Sequence, residues 1–353
     1  MKDQKPDLLS MTPEELTAFF VSIGEPAFRA KQVFSALHRG LHLSEITTLP
    51  KSLRERLLAE TEDRMPTVAQ KLVSSVDGTV KYLLRLTDGH SVECVLMHYE
   101  HGTTVCISSQ VGCAMGCTFC ASTIGGKVRG LRASELIGQL ATVARDAGER
   151  IDGVVMMGIG EPLDNYDEVI RFLRLVNIEG GLAIGYRHIS LSTCGLVPQI
   201  LRLADEALPI TLSISLHAAT DERRSRIMPI NRRYGIDELL QACVTYFRKT
   251  GRRISFEYTL IAGENDTVSE AEALAALLRR HFDRREPIHV NLIRVNEVKE
   301  TGCRPPSAET AKRFADTLCR LGVNATVRRR LGADVNAACG QLRRASLAGG
   351  QAQ

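Results

Sequence analysis

The sequence TTVCISSQVGCAMGCTFC, residues 103–120, joins a β-type run to three closely spaced cysteines. The run at its start, residues 103–109, is rich in β-branched and small side chains, which is typical of a buried strand. Cys113, Cys117 and Cys120 then follow with the spacing C-x₃-C-x₂-C. A strand that leads directly into a loop of potential ligands predicts an α/β fold with its functional site at the strand ends.

The chain beyond this stretch alternates between β-type runs and amphipathic helical patterns. The further β-type runs are 153–157, 188–193, 210–216, 254–261 and 288–295, and a last short one lies within NATVRRR at 324–330. Helical patterns such as ASELIGQLATVARDAG and VSEAEALAALLRRHF separate them. Six βα units in series predict a parallel sheet, either an incomplete (β/α) barrel or a doubly wound sheet.

The N-terminal part of the chain has a different pattern. Thr12-Pro13-Glu14-Glu15 combines a helix N-cap, a proline at the first helical position and the glutamate of a capping box. Three β-rich runs further on are separated by Asp77-Gly78 and Asp88-Gly89, the turn chemistry of hairpins. We therefore divide the sequence into an N-terminal helical accessory domain at 1–65, a β-hairpin linker region at 66–98, a core domain at 99–335 and a C-terminal tail at 336–353.

The composition is that of an ordinary globular protein, with 44% hydrophobic and 24% charged residues in a chain of 353. No run approaches the roughly 18 apolar residues of a membrane-spanning helix, and MKDQKPDLLSMTPEEL lacks the apolar core of a secretory signal. We therefore expect a cytoplasmic protein without a membrane partner. Ten cysteines in that reducing compartment are metal ligands, catalytic groups or small core residues rather than a disulfide framework. Cys243 and Cys319 lie in amphipathic helical patterns and are predicted to be core residues.

The basic residues form clusters although the net charge is only +4. The clusters are Arg223, Arg224, Arg226, Arg232 and Arg233; Lys127, Arg129 and Arg132; and Arg328, Arg329 and Arg330. Local arginine clusters are compatible with a polyanionic partner such as RNA. A solvated charged face explains them equally well on this observation alone.

The cysteine triplet allows three interpretations. A structural zinc site normally needs four ligands, and the sequence contains no second C-x-x-C or H-x₃-H, so a lone Cys or His would have to complete it. A thiol–disulfide exchange motif would use Cys117 and Cys120 and leave Cys113 without a role. A [4Fe–4S] cluster held by three thiolates keeps one iron open for a substrate or cofactor. The spacing, on a loop after the first strand of an α/β fold, favours the cluster.

Polar side chains also follow the other predicted strands. They include Gly160-Glu161-Pro162, Ser192-Thr193, Ser215-Leu216-His217, Asn291 and Asn296. Because the carboxyl ends of parallel strands lie at one edge of a sheet, these residues are expected to gather around the cysteine loop.

These motifs together resemble the radical S-adenosylmethionine superfamily and, within it, the RlmN/Cfr family of RNA methyltransferases. The resemblance rests on QVGCAMGCTFCAS with Phe119 before the third cysteine, MMGIGEPL, SLHA, NLIRVN and the tail DVNAACGQL at 334–342, in that order. It extends from about residue 90 to 344, and the N-terminal module resembles the family's accessory domain. It implies a partial (β/α)₆ TIM-like barrel with a small N-terminal helical accessory domain.

The resemblance also implies the roles of individual residues. Cys113, Cys117 and Cys120 would ligate the [4Fe–4S] cluster, Cys339 would carry the methyl group, Cys106 would be its resolving partner and Glu93 the proton acceptor. The S-adenosylmethionine pocket would contain Gly160, Glu161, Ser192, Ser215, Leu216, His217 and Asn296. For Glu93, a solvent-facing position in an alternating strand is the simpler structural alternative.

The implied reaction is methylation of C2 of adenosine in 23S rRNA and in tRNA next to the anticodon. A first S-adenosylmethionine methylates Cys339, and a second is cleaved reductively to a radical that takes a hydrogen from this S-methyl group. The methylene radical adds to C2, Cys106 or Glu93 removes the C2 proton, and a Cys106–Cys339 disulfide releases the product. A monomer served by a flavodoxin or ferredoxin is expected. The alternatives are C8 methylation, as by Cfr, and a non-catalytic zinc-stabilised RNA-binding protein.

Overall fold

The computed structural model describes residues 5–283, 286–296, 302–332, 334, 335 and 342, so the predicted methyl carrier Cys339 lies outside the described residues. The N-terminal module contains helices α1 (Pro13–Ser22), α2 (Phe28–His38) and α3 (Lys51–Glu60). The predicted capping box is present, because Thr12 Oγ1 accepts from the Glu15 amide and the Glu15 carboxylate accepts from the Thr12 amide. The apolar face of the module joins the main hydrophobic core.

In the described part of the chain, ten strands form one continuous sheet. A short antiparallel ribbon of two further strands, β5 and β6, stands beside it. The strands are β1 (Thr67–Val73), β2 (Val80–Arg85), β3 (Ser91–Tyr99), β4 (Gly102–Cys106), β5 (Gln110–Gly112), β6 (Lys127–Gly130), β7 (Gly153–Met156), β8 (Ile189–Thr193), β9 (Thr211–Ser215), β10 (Ile254–Leu260), β11 (Ile288–Arg294) and β12 (Ala325–Val327).

Strands β4 and β7–β12 run parallel and lie side by side in chain order. A doubly wound sheet reverses its strand order, whereas a barrel does not, so the predicted incomplete barrel is confirmed. The connecting helices are α4 (Ala133–Ala147), α5 (Tyr166–Val176), α6 (Val197–Asp205), α7 (Asp221–Ile227), α8 (Ile236–Thr250), α9 (Val268–His281) and α10 (Ala308–Arg320). None of the helices in the described ranges combines the length and apolarity needed to cross a bilayer.

Strands β1–β3 extend the barrel sheet by antiparallel pairing onto β4. The sheet is therefore continuous across the boundary that the sequence pattern predicts between residues 98 and 99. Tyr82 and Leu84 belong to the large core under the helices, whereas Val95, Met97 and Cys106 form a separate interior cluster. Alternation along the strands thus gives β2 and β3 an outer face toward the helices and an inner face toward the barrel.

The two cysteines predicted to lie in the core have different environments. Cys243 on α8 is fully buried, as predicted. The prediction for Cys319 is wrong, because this residue is exposed near the end of α10. Phe314 and Leu318, four positions apart, occupy the buried face of that helix, so the next residue points away from it.

Candidate active site

The three cysteines of the triplet lie on the loop that connects β5 and β6. Gly112 has φ +79°, and a Cβ at this position would lie 2.0 Å from the Gly126 carbonyl oxygen, so the ribbon closes only with glycine here. The Cys113 amide donates to that same oxygen at 3.1 Å. The Thr123 hydroxyl donates to the Cys120 carbonyl at 2.9 Å. These hydrogen bonds fix the loop with all three cysteines facing one cavity.

This cavity, of about 220 Å³, lies at the carboxyl ends of the parallel strands. The predicted site residues that line it are Cys113, Cys117, Cys120, Gly160, Glu161, Ser192, Ser215 and His217. Two predicted pocket residues, Leu216 and Asn296, do not line the cavity. Leu216 is fully buried, and its side chain packs in the main hydrophobic core. Asn296 follows β11, and it is Ile293 of that strand that contacts the cavity.

The donor set fits an iron–sulfur cluster. Burial raises the pKa of Cys113 to about 11 and also raises the pKa of Cys117. Such thiols become thiolates when they bond a metal, and soft thiolates are the ligands of iron–sulfur clusters. Within the described ranges, no three His, Cys, Asp or Glu side chains are arranged to hold a single metal ion.

The Gly158–Pro162 loop closes one wall of the cavity. A Cβ on Gly160 (φ +108°) would lie 2.6 Å from the Gln110 Cβ, so the backbone here approaches its neighbour as only glycine allows. The Glu161 carboxylate accepts from the Cys194 amide at 2.7 Å and from the Leu163 amide at 3.0 Å. Burial raises the pKa of Glu161. This side chain therefore ties the loop after β7 to the loop after β8.

His217 forms a second wall and has an unusual backbone conformation, with φ +59°. Its carbonyl accepts from the Asn265 side-chain amide at 3.1 Å, and its Nδ1 accepts from the Thr259 amide at 2.9 Å. Burial, and secondarily the charge of Arg224, lowers the pKa of His217 to about 3. The imidazole is therefore neutral and carries its proton on Nε2. Its ring packs edge-on against Phe119, with centroids 4.9 Å apart.

Arg224 corrects the interpretation of the first basic cluster as a surface feature. Its side chain is fully buried and donates hydrogen bonds to the carbonyls of Cys194 (2.7 Å), Ser215 (3.0 Å) and Leu216 (3.1 Å). It also donates to the Asn231 side-chain oxygen at 2.9 Å. The guanidinium thus binds the ends of β8 and β9 together beneath the cavity. No sequence signal distinguished this arginine from its exposed neighbours.

Further residues that line the cavity were not predicted. Met115, Met156, Met157 and Met228 form a soft apolar wall, and sequence spacing alone does not separate them from core methionines. Glu257 on β10 is 3% exposed and accepts from the Asn291 side chain at 2.7 Å. A carboxylate in the otherwise apolar run ISFEYTLI was an available signal for an inward-facing polar residue.

Glu93 and Cys106 lie away from this cavity, on the inner face of β3 and β4. The solvent-facing alternative for Glu93 is wrong, because the residue is 2% exposed and its carboxylate lies 3.2 Å from the Lys81 Nζ. Cys106 is buried in the cluster formed with Val95 and Met97. The inner face therefore brings the predicted resolving cysteine and the predicted proton acceptor to neighbouring strands.

The chain that leads toward residue 339 is fixed to the β1–β2 turn. The Asp334 carboxylate accepts from the Ser74 hydroxyl at 2.6 Å and from the Ser75 amide at 2.9 Å. The Gly332 amide donates to the Asp77 carboxylate at 2.9 Å. Leu331 packs against the inner-face cluster that contains Cys106. Leu331, Gly332 and Asp334 therefore lie between the inner-face cluster and the β1–β2 turn.

Comparison with known proteins agrees with this architecture. Residues 6–62 match the ribosomal RNA large subunit methyltransferase N-terminal domain, and residues 107–278 match the radical SAM superfamily. The chain is 52% identical over 345 residues to the probable dual-specificity RNA methyltransferase RlmN of Alkaliphilus oremlandii, covering 98% of this chain and 99% of that protein. The corresponding protein of Clostridium botulinum (strain Eklund 17B / Type B) is 49% identical over 342 residues, 97% of each chain. A crystal structure of a radical SAM methyltransferase from Sphaerobacter thermophilus superimposes with a TM-score of 0.89 at 43% identity, covering 95% of this chain and 98% of that one.

Proposed function

The chain belongs to the RlmN family of radical S-adenosylmethionine RNA methyltransferases, and from this premise we propose that it methylates C2 of adenosine in 23S rRNA and in tRNA next to the anticodon. The relatives bear the name of dual-specificity RNA methyltransferases, which supports two classes of RNA substrate. The proposal includes a flavodoxin- or ferredoxin-type reductant and a monomeric cytoplasmic enzyme. Family membership argues against a non-catalytic zinc-stabilised RNA-binding protein.

The observation that carries this proposal is the cavity in which three thiols meet hydrogen-bonding groups and soft apolar side chains. A [4Fe–4S] cluster held by Cys113, Cys117 and Cys120 would supply the reductive cleavage of S-adenosylmethionine. Gly158 and Gly160 pack closely against Ile107 and Gln110, which holds their backbone in the cavity wall, and the methionines would pack against the apolar parts of a ligand. The neutral His217 offers an Nε2–H donor without adding a positive charge beside a sulfonium cofactor.

Cys339 is the proposed methyl carrier. Its thiolate attacks the methyl group of a first S-adenosylmethionine, so that a thioether bond forms while the sulfonium carbon–sulfur bond breaks. Leu331, eight positions before Cys339 in the chain, packs in the Cys106 cluster, which supports the pairing of Cys339 with Cys106.

Proton removal from C2 is assigned to Glu93, and disulfide formation with Cys339 to Cys106. If Cys106 took the C2 proton, it would become a neutral thiol. It must be a thiolate when it attacks the Cys339 sulfur, so a separate base is needed. Glu93 lies on the same inner face and is a buried carboxylate beside a cation. With Cys339 as the methyl carrier and Cys106 as its disulfide partner, both cysteines that the resemblance singles out beyond the triplet have a role.

The test is an anaerobic reaction of the purified protein with S-adenosylmethionine, a reductant and 23S rRNA or tRNA, followed by mass-spectrometric mapping of the methylated adenosine. We expect a methyl group at C2 and none at C8. Cys339→Ala should abolish methyl loading of the protein and RNA methylation while iron and sulfide content stay unchanged.

The matched control is Cys319→Ala, which removes an exposed thiol of the same chain and should leave the reaction unchanged. Methylation at C8 would replace the proposed regiochemistry with that of Cfr. RNA methylation by the Cys339→Ala variant would contradict the carrier assignment. A protein with a full iron–sulfur complement that methylates neither RNA would contradict the function as a whole.

A further inference from the structure

Lys81 and Glu93 form an ion pair enclosed by the protein. The Lys81 Nζ lies 3.2 Å from Glu93 Oε2, and the two side chains are 1% and 2% exposed. Exposed ion pairs are common and contribute little, whereas enclosing two charges is costly and persists only where both are held closely. The pair is therefore a specific feature of this site.

Strand register explains how the two side chains meet. In the antiparallel pairing of β2 and β3, Lys81 lies opposite Val95 and Leu83 lies opposite Glu93. Lys81 and Glu93 are thus diagonal neighbours on one face, a separation that a long side chain bridges. Val95 and Met97 share the parity of Glu93 and lie in the inner-face cluster with Cys106. The ion pair consequently belongs to the barrel interior.

Hydrogen bonds connect this pair to the cavity of the cysteine triplet. The Ser108 hydroxyl donates to the Glu93 carbonyl at 2.7 Å and accepts from the Ile159 amide at 3.0 Å. Ile159 lies between Gly158 and Gly160, which both line the cavity. The backbone of Glu93 is therefore fixed relative to the site where the radical chemistry is proposed to begin.

We propose that Lys81 is a positioning residue for proton removal, because its ammonium group keeps Glu93 in the carboxylate form and oriented as the proton acceptor. This inference rests on the proposed function. A buried carboxyl group without a counter-charge favours its neutral form and is a poor base, whereas a cation within about 4 Å favours the ionised form. Lys81 supplies that cation from the neighbouring strand.

In the proton step, the bond between C2 and its hydrogen breaks and its electron pair stays on the adenine ring. The proton converts the Glu93 carboxylate into a carboxylic acid. Among the described residues, Lys81 from β2 contacts the Glu93 carboxylate directly, and the Cys106 thiol from β4 lies on the same inner face. Arg328 after β12 reaches the Met157 sulfur, which packs against the Cys106 cluster, at 4.0 Å.

The experiment compares Lys81→Met with wild type in single-turnover RNA methylation from pH 5 to 9, starting from protein already methylated on Cys339. The half-maximal pH of the variant should rise by about one to three units, so that the loss of rate is largest at the acid end of this range and is recovered at high pH. Methyl loading of Cys339, measured by intact mass, should be unchanged, since it needs no base at C2. Lys81→Arg should restore most of the wild-type profile.

The matched control is Lys71→Met, which removes a cation from neighbouring β1 that pairs with Asp146 in a partly exposed setting. It should leave the pH profile unchanged. Glu93→Gln should lose the reaction at every pH, because no proton acceptor remains to be ionised.

Infrared spectroscopy supplies a measurement that needs neither RNA nor turnover. The difference between Lys81→Met and the double variant Lys81→Met/Glu93→Gln should contain a carboxylic-acid band at neutral pH. The difference between wild type and Glu93→Gln should contain none there. If Lys81→Met does not fold, the pH at which this band appears can be compared between Lys81→Gln and wild type.

An unmoved pH profile together with no carboxylic-acid band in the charge-removing variant would overturn the proposal. Wild-type rates in Glu93→Gln with methylation still at C2 would overturn it too, together with the assignment of Glu93 as the base, and would leave the proposed C2 methylation of RNA intact. Absence of C2 methylation by the wild type would instead refute the proposed function, and the infrared series would still decide the charge of Glu93.

Discussion

Arg224 and Lys81 are two fully buried cations on different sides of the barrel, and they have different partners. Arg224 donates its four described hydrogen bonds to neutral oxygens, three of them main-chain carbonyls at the ends of β8 and β9. Lys81 faces the carboxylate of Glu93. A buried cation holds neutral carbonyls in place without any change in their protonation, whereas it lowers the proton affinity of a carboxylate. The type of partner, rather than the degree of burial, therefore decides whether a buried cation only stabilises the structure or also takes part in proton transfer.

The largest effect is expected from Arg224→Met. The substitution removes a donor from the buried carbonyls of Cys194 and Ser215 and from the Asn231 side-chain oxygen, at about 1 to 3 kcal/mol each, so we expect a loss of about 5 kcal/mol in unfolding free energy. Urea denaturation measures it. Arg226→Met on the same helix removes an exposed cation and should change stability by less than about 0.5 kcal/mol. A similar small change for Arg224→Met would remove the structural half of the comparison.

Lys81→Met should cost about 3 kcal/mol, because one partner of a buried ion pair is lost. Adding Glu93→Gln should recover at least about 1.5 kcal/mol of this loss, since the neutral amide does not need the charge of Lys81. Replacing Asn231 should not rescue Arg224→Met, because the main-chain carbonyls stay without donors. A double-mutant cycle in urea measures both couplings. Additive effects of the Lys81 and Glu93 substitutions would contradict the ion pair.

His38 extends the comparison to a buried base that avoids charge altogether. Both ring nitrogens are buried without a hydrogen-bond partner among the described residues, and burial lowers the pKa of His38 to about 4. Since the unfolded value is near 6.5, the unfolded chain takes up the proton first, and stability falls as the pH drops from about 6.5 to about 4. His38→Phe should therefore remove about 2 kcal/mol of the stability loss at pH 5, measured by thermal or urea unfolding across this range. If the loss of stability at acid pH were the same in His38→Phe as in wild type, a neutral His38 would be contradicted.

Of the two lysine substitutions, Lys71→Met should have the smaller effect. Lys71 and Asp146 are 38% and 32% exposed, so solvent screens the attraction and the loss should stay below about 1 kcal/mol in urea denaturation. Tyr82 keeps its own hydrogen bond to Asp146 at 2.8 Å, which leaves this carboxylate with a partner. A loss as large as that of Lys81→Met would show that burial does not distinguish the two lysines.

The regular parts of the fold were predictable because their signals are local. Alternating β-type runs and amphipathic helices predicted the parallel strands, and capping residues predicted the start of α1. Asp77-Gly78 and Asp88-Gly89 predicted the hairpins, but not that β1–β3 continue the barrel sheet. Pairing between strands depends on contacts distant in sequence, which periodicity does not contain.

The candidate site was predictable where chemistry requires particular residues at particular spacings. The cysteine triplet, Gly160, Glu161, Ser192, Ser215 and His217 do gather around one cavity, as the order of motifs predicted. Leu216 and Asn296 show the limit, because adjacency in a motif does not decide which side chain faces a ligand. The roles assigned to these residues remain predictions for the experiments above.

The sequence by itself determined the barrel's order of elements, the position of the cysteine loop and the family. These follow from local periodicity, turn chemistry and motif spacing. Only the tertiary structure decided that one arginine of a basic cluster lies inside the protein, and that Lys81 meets Glu93. Those facts depend on strand register and on loops brought together from distant parts of the chain. The strength of a charge–charge interaction is set by burial and separation, and neither can be read from residue order.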